Sequence, residues 1–143
     1  MSLAVEVSAA LRAKAWKLAT AESCTGGMVA VAITDIAGSS DVFDRGFLTY
    51  SNLSKAEMLG IGPVLIATHG AVSAQVARAM AEGALLYSKA QIAVAITGVA
   101  GPGGGSVEKP VGLVHFAVAG QGLSTAHAVM KFGDVGQIGR AHV

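Results

Sequence analysis

Residues 17–23 have the sequence Lys-Leu-Ala-Thr-Ala-Glu-Ser, and Thr25-Gly26-Gly27 follows after a single cysteine. The first segment predicts a short strand that enters a turn, and residues 28–36 are apolar enough for a buried helix. A strand joined through a glycine turn to a helix is the repeating unit of α/β proteins. This unit therefore decides the fold class.

Further helices and strands are predicted on both sides of this strand–turn–helix unit. A helix is predicted over residues 3–18, and a capping box formed by Ser54 and Glu57 begins a short helix that Gly60 or Gly62 ends. Ser73 begins a longer helix. Further strands are predicted at residues 42–51, 91–97, 112–119 and 123–132, the last two as a hairpin around residues 120–122. The order α, β, α, β, α, α, β, β, β predicts one α/β domain with a mixed sheet and helices packed on its faces.

Composition narrows the function classes. The chain has 143 residues, of which 52% are hydrophobic and 13% are charged, with a net charge of +1. We expect a soluble, cytoplasmic protein that is not exported, since no apolar run has the ~18–20 residues of a membrane span. The ten basic residues form no stripe, which argues against nucleic acid as a partner. Because charged residues are few, we expect much of the surface to consist of Gly, Ala, Ser and Thr or to be covered by a partner subunit.

The turn at residues 21–27 is the first candidate for chemistry. A small hydroxyl residue at a strand end, followed by glycines and a helix start, can present a nucleophile beside backbone N–H groups that hold an anion or oxyanion. Ser23 is a candidate nucleophile and Cys24 is an alternative. The same pattern also fits a Ser or Thr cap on an ordinary β–α turn.

Two further segments have a possible chemical role. The glycine-rich loop at residues 97–105 can bind a phosphate through its amides, or it can be a flexible surface connection. Lys55 is predicted as the first residue of the capped helix, where the helix dipole and burial would both favour a neutral amine that acts as a base, with the Tyr50 hydroxyl in a proton relay. Alternatively, Lys55 is a solvated surface lysine. His115 and His127 fall on adjacent strands, and packing is their expected role. No histidine spacing indicates a metal site.

Five blocks of sequence, in order, resemble the CinA C-terminal family, the nicotinamide-nucleotide amidases. The match runs from about residue 4 to residue 134. The blocks are residues 20–27, residues 46–52 with Lys55, residues 69–73, residues 95–104 and residues 109–112.

The resemblance implies a three-layer α/β/α fold, frequent homo-oligomers, and hydrolysis of nicotinamide mononucleotide to nicotinate mononucleotide and ammonia. It implies a serine nucleophile assisted by lysine and tyrosine, which fall here at Ser23, Lys55 and Tyr50. No metal and no cofactor are expected. The alternative functions are a non-catalytic nucleotide-binding or regulatory module and a structural oligomerisation domain. The expected substrate-binding residues come from the turn and the glycine-rich loop: Thr25, Gly26, Gly27, Thr97, Gly98, Gly101 and Gly103.

The resemblance weakens at the C-terminal end. The family usually has an arginine directly after the Gly-Asp pair and then a final helix, whereas Val135 follows Gly133-Asp134 here. Residues 138–143, Ile-Gly-Arg-Ala-His-Val, correspond to a translation of ATCGGAAGAGCACACGTC, a sequencing-adaptor sequence. We therefore expect the amidase-like domain to cover residues 1–137, residues 138–143 to be a non-native tail, and the fold to lack its C-terminal helix. Arg140 is then assigned no role.

Overall fold

A computed structural model describes residues 2–134, which form a mixed five-stranded sheet with helices on both faces. The helices are α1 (Leu3–Lys14), α2 (Met28–Thr34), α3 (Asn52–Leu59), α4 (Pro63–His69) and α5 (Ala74–Leu86), with a 3₁₀ turn at Ser39–Asp41. The strands are β1 (Leu18–Glu22), β2 (Phe43–Leu48), β3 (Ile92–Gly98), β4 (Leu113–Gly120) and β5 (Ala126–Lys131).

The strand order is β2-β1-β3-β4-β5. Strand β1 is parallel to both neighbours, whereas β4 is antiparallel to β3 and β5 is antiparallel to β4. The chain leaves β1 towards β2 on one side and returns later to β3 on the other. In open α/β sheets such a reversal leaves a crevice at the carboxyl ends of the strands, where ligands bind. By this rule the crevice is expected where β1 and β3 end, since the reversal falls between them.

Side chains that alternate in direction along the strands contribute to two hydrophobic cores, one on each face of the sheet. On one face, the small side chains of Ala93 and Ala95 pack against α5, whose Val76 and Met80 are fully buried. On the other face, Ile92 and Val94 pack against a cluster that includes Leu11 of α1 and Ile33 of α2. Because successive strand residues point to opposite faces, the molecule has three layers. The expected three-layer α/β/α architecture with a mixed sheet is confirmed.

Several predicted boundaries are wrong. Helix α1 ends at Lys14 rather than residue 18 because Ala15 adopts a left-handed conformation (φ 55°), and Leu18 belongs to β1. The capping box at Ser54 is wrong: α3 begins three residues earlier, and the Ser51 hydroxyl accepts from the Ser54 amide at 3.0 Å. Helix α4, which has Pro63 at its start, was not predicted.

Other predicted features are confirmed. Gly60 ends α3 in a left-handed conformation, Ser73 caps α5, and β4 and β5 form the predicted hairpin. Among residues 2–134, no helix combines the length and apolarity needed to cross a membrane. The expectations for residues 138–143, and for a missing C-terminal helix after them, lie outside the described residues.

Gly83 tests how closely α3 and α5 approach each other. A Cβ at this position would collide with the backbone carbonyl of Leu59 at the end of α3. We expect Gly83→Ala to lower the free energy of unfolding by about 1–3 kcal/mol, although alanine is the better helix former. Urea denaturation measures this change. In Gly62→Ala, where an added Cβ meets nothing within 4 Å, stability should stay within about 0.5 kcal/mol. A neutral Gly83→Ala would contradict the close packing.

Candidate active site

Ser23 lies at the point where β1 becomes a tight turn. Its amide donates to the carbonyl of Ile96 in β3 at 3.0 Å, and its own carbonyl accepts from the amide of Gly26 at 3.1 Å. Gly26 and Gly27 have positive φ values of 62° and 104°, a region that glycine adopts without strain. The turn therefore places Ser23 at the crevice between β1 and β3.

Lys55, from α3, contacts the Ser23 hydroxyl. Its Nζ is 3.0 Å from Ser23 Oγ, 2.9 Å from the carbonyl oxygen of Thr49 and 3.0 Å from that of Tyr50. Only 1% of the Lys55 surface is exposed. The two residues are 32 positions apart in sequence, so the fold, and not local sequence, brings them together.

The hydrogen-bond partners of Lys55 indicate what its neutral form could do at this position. A neutral amine has two N–H donors and one lone pair. In that neutral form the two carbonyls can accept both N–H groups, which leaves the lone pair for Ser23 Oγ, whereas an ammonium donates to Ser23 Oγ as well. Burial lowers the pKa of Lys55 below its usual 10.5, against an opposing effect of the neighbouring Cys24. The arrangement can therefore hold an uncharged base against a hydroxyl group.

The connection between β2 and α3 positions this amine. Only residues 49–51 separate the two elements. The amide of Thr49 donates to the carbonyl of Glu22 at 2.9 Å and so continues the pairing of β2 with β1. The capping box predicted Lys55 as the first residue of α3, but Lys55 is the fourth residue of this helix. Burial, more than the helix dipole, therefore accounts for its lowered pKa.

The structure places Tyr50 beside this pair but not in the same contact. Its backbone carbonyl accepts from Lys55, whereas its side chain is 68% exposed. The role of the Tyr50 hydroxyl in a proton relay therefore stays a prediction.

The turn differs from the expected anion site. Thr25 is fully buried and its hydroxyl donates to the Glu22 carboxylate, which also accepts from the amides of Val29 at 2.9 Å and Ala30 at 3.0 Å. The first turn of α2 is therefore not open to a ligand, contrary to the expectation from sequence. Within residues 2–134, the amides of Thr25 and Gly27 donate to no acceptor.

Glu22 was missed as a functional candidate. The available signal was a carboxylate at the end of a short strand of otherwise uncharged residues, directly before the turn. A charged residue is almost never fully buried without partners.

The residues of the glycine-rich loop are divided between two places. Thr97 is buried and donates to the carbonyl of Ala71 at 2.9 Å, and a Cβ on Gly98 would lie 3.1 Å from Cys24 Sγ, so both lie close to the turn. Gly101 packs against Val111 with a positive φ of 74°. Gly103 lines an open cleft of about 560 Å³ formed by residues 102–107, 110 and 111. The lining of this cleft includes neither Ser23 nor Lys55.

His115 and His127 form a stacked pair, with His115 Nδ1 2.8 Å from His127 Nε2. Burial lowers the pKa of His115, and the nearby His127 and Lys109 lower it further. Across residues 2–134, no group of three or more His, Cys, Asp or Glu side chains could hold a metal ion. The pair joins β4 to β5, as expected for a packing role.

The model of the CinA C-terminal domain matches residues 1–143. The chain belongs to this family. As a CinA C-terminal domain, it is 57% identical over 130 residues to a protein of Enterobacter agglomerans named nicotinamide-nucleotide amidohydrolase PncC. That match covers 91% of this chain and 79% of the relative.

Two other similar proteins show how the domain is used and folded. A CinA-like protein of Syntrophobacter fumaroxidans is 55% identical over 75% of this chain, which corresponds to only 25% of that longer protein. The crystal structure of competence/damage inducible protein CihA from Agrobacterium tumefaciens superposes with a TM-score of 0.94 at 51% identity. It covers 97% of this chain and 84% of that chain. The fold of this CinA C-terminal domain is therefore that of its solved relatives.

The buried amine predicts a pH-dependent stability. Because the pKa of folded Lys55 lies below 10.5, the unfolded chain binds more protons between the lowered pKa and 10.5. The free energy of unfolding contributed by Lys55 therefore rises with pH in that window. Relative to Lys55→Met, the wild type should gain stability in urea denaturation as the pH rises from the lowered pKa towards 10.5. Lys89→Met serves as the exposed control, and a pH-independent difference for Lys55→Met would refute the argument.

Proposed function

We propose that this domain is an amidohydrolase that converts nicotinamide mononucleotide into nicotinate mononucleotide and ammonia, a step of pyridine nucleotide salvage. The observation that carries the proposal is the 3.0 Å contact between the buried Lys55 amine and the Ser23 hydroxyl. The name of the Enterobacter agglomerans relative supports the choice of substrate.

The first half of the reaction forms an ester with Ser23. Neutral Lys55 accepts the hydroxyl proton while Ser23 Oγ attacks the carboxamide carbon. The amides of Thr25 and Gly27, which have no other acceptor among residues 2–134, are suited to stabilise the oxyanion. The Lys55 ammonium then returns its proton to the carboxamide nitrogen. The C–N bond breaks, ammonia leaves, and the nicotinoyl group remains on Ser23.

The second half reverses these roles with water. Lys55, neutral again, accepts a proton from a water molecule that attacks the ester carbon, and then returns it to Ser23 Oγ as the ester breaks. The products are nicotinate mononucleotide and free enzyme. One amine therefore serves as base and acid in both halves, and the scheme uses no metal and no cofactor.

Tyr50 and the glycine-rich segments are assigned roles that require a bound substrate. The Tyr50 hydroxyl, on an exposed side chain next to the Lys55 contact, is suited to join proton transfer once a substrate lies against it. Thr97 and Gly98 border the turn, and the loop amides around Gly101 and Gly103 are suited to an anionic phosphate.

The setting of the enzyme is part of the proposal. A single cysteine, buried beside the nucleophile, fits the reducing cytoplasm. Assembly into a homo-oligomer is proposed because only 13% of the residues are charged, and because Val129 and Met130 on β5 are each 49% exposed.

Substitutions distinguish the two candidate nucleophiles. Ser23→Ala should lower kcat for ammonia release from nicotinamide mononucleotide at least about 1000-fold, because the attacking oxygen is lost. Cys24→Ala should keep most of the activity. Ammonia is measured by a coupled assay, and binding by the rise in Tm with the mononucleotide. Loss of activity in Cys24→Ala alone would move the nucleophile to the thiol. Binding without any turnover by the wild type would favour a non-catalytic nucleotide-binding module.

The pH profile tests the base. The value of kcat/KM should rise with pH as Lys55 loses its proton, with a midpoint below 10.5 because burial lowers its pKa. Lys55→Arg, which stays charged, should be inactive. Tyr50→Phe should lower the plateau but leave the midpoint in place, since the midpoint belongs to Lys55. A midpoint that moves in Tyr50→Phe would assign the titration elsewhere.

A further inference from the structure

Glu22 is the last residue of β1 and takes no part in the proton transfers above. It precedes Ser23 directly, and successive residues of a strand point to opposite faces of the sheet. Ser23 contacts Lys55 on one face, whereas Glu22 contacts the start of α2 on the other. Its side chain is buried, with 2% of the residue exposed. The end of β1 therefore carries the nucleophile on one side and an anchored carboxylate on the other.

Three neutral donors hold this carboxylate. Thr25 Oγ1 and the amide of Val29 donate to Glu22 Oε1, and the amide of Ala30 donates to Oε2. The ion pairs within residues 2–134 are Arg12–Asp41 and Arg45–Asp44, so Glu22 is held by dipoles rather than by a cation. A carboxylate at this end of a helix is also favoured by the helix dipole.

The capping of α2 differs from that of three other helices. Helices α1, α3 and α5 are capped by an adjacent serine, which accepts from the amide three positions later. At α2 the N-cap is Gly27, which has no side chain, and the cap comes from a residue five positions earlier. A serine-type cap would satisfy the helix without involving Ser23. The distant cap instead fastens the helix to the residue that precedes the nucleophile.

We propose that Glu22 is a positioning residue: its carboxylate holds the turn at residues 23–27 in the shape that directs the amides of Thr25 and Gly27 at the oxyanion formed on Ser23. This inference rests on the proposed serine mechanism. The carboxylate acts through the turn and not on the substrate. Its loss should therefore slow the chemical step more than it weakens substrate binding.

The test compares variants that remove one acceptor or one donor of this network. In Glu22→Gln one oxygen becomes an NH₂ group, which cannot accept from Ala30. Thr25→Val removes the hydroxyl donor at similar volume, and Thr25→Ser retains it. Ile33→Ala, which loosens α2 at its other end within the core, is the matched control for destabilisation.

Two rates are measured, well below each variant's Tm. One is ammonia release from nicotinamide mononucleotide. The other is the labelling of Ser23 by a fluorophosphonate probe, followed by intact mass; there Ser23 Oγ attacks phosphorus, fluoride leaves, and Lys55 takes the hydroxyl proton. We expect Glu22→Gln and Thr25→Val to lower both rates at least about tenfold with KM nearly unchanged. Thr25→Ser, which keeps the hydroxyl donor, should retain more of both rates than Thr25→Val. Ile33→Ala should stay near the wild type in both rates, although it lowers the Tm.

The outcomes separate the two proposals. Wild-type rates in folded Glu22→Gln, or an equal loss of rate in Ile33→Ala, would overturn the positioning role and leave a purely structural carboxylate. Labelling of wild-type Ser23 without ammonia release would overturn the proposed substrate, while the labelling rates of the variants still decide the role of Glu22. An unlabelled wild type that also releases no ammonia would overturn both.

Discussion

The site depends on one constraint: the Lys55 amine is buried, and neither of the ion pairs found within residues 2–134 includes it. Placing a charged ammonium in a buried position is costly, so burial favours the neutral form. Two backbone carbonyls supply acceptors for its N–H groups, and the serine hydroxyl is the remaining neighbour. Burial thereby lowers the pKa of this amine, which suits it to the proposed role as a base at the end of β1. The surrounding fold excludes water from this amine and fixes its orientation.

Sheet topology supplies the orientation. The reversal of strand order between β1 and β3 opens the crevice, and the Ser23 amide is fixed by β3 while the Lys55 amine is fixed by the end of β2. The proposed nucleophile and the proposed base therefore belong to different crossovers of the same sheet. Alanines on the inner positions of β1, β3 and β4 let α5 pack closely against this face, which stabilises the framework below the site.

Local patterns predicted the strand–turn–helix unit, the buried β3 and the Ser73 cap, because periodicity and capping are properties of neighbouring residues. The resemblance placed Ser23 and Lys55 in one site. What sequence did not predict depends on contacts between distant segments. The start of α3 was misplaced because Ser51 and Ser54 are equally good caps on paper, and only the β2 pairing decides between them. The burial of Glu22 and the exposure of Tyr50 likewise depend on tertiary contacts.

The three-residue link between β2 and α3 has a consequence for the natural variation of this domain. Its first two carbonyls are the acceptors for the amine, so the same short backbone segment connects two elements and holds the proposed base. An insertion or deletion there would change the register between strand and helix and draw the carbonyls away from Nζ. Indels should therefore accumulate in the open stretch around residues 102–107 during divergence, whereas the length of the 49–51 link stays constant.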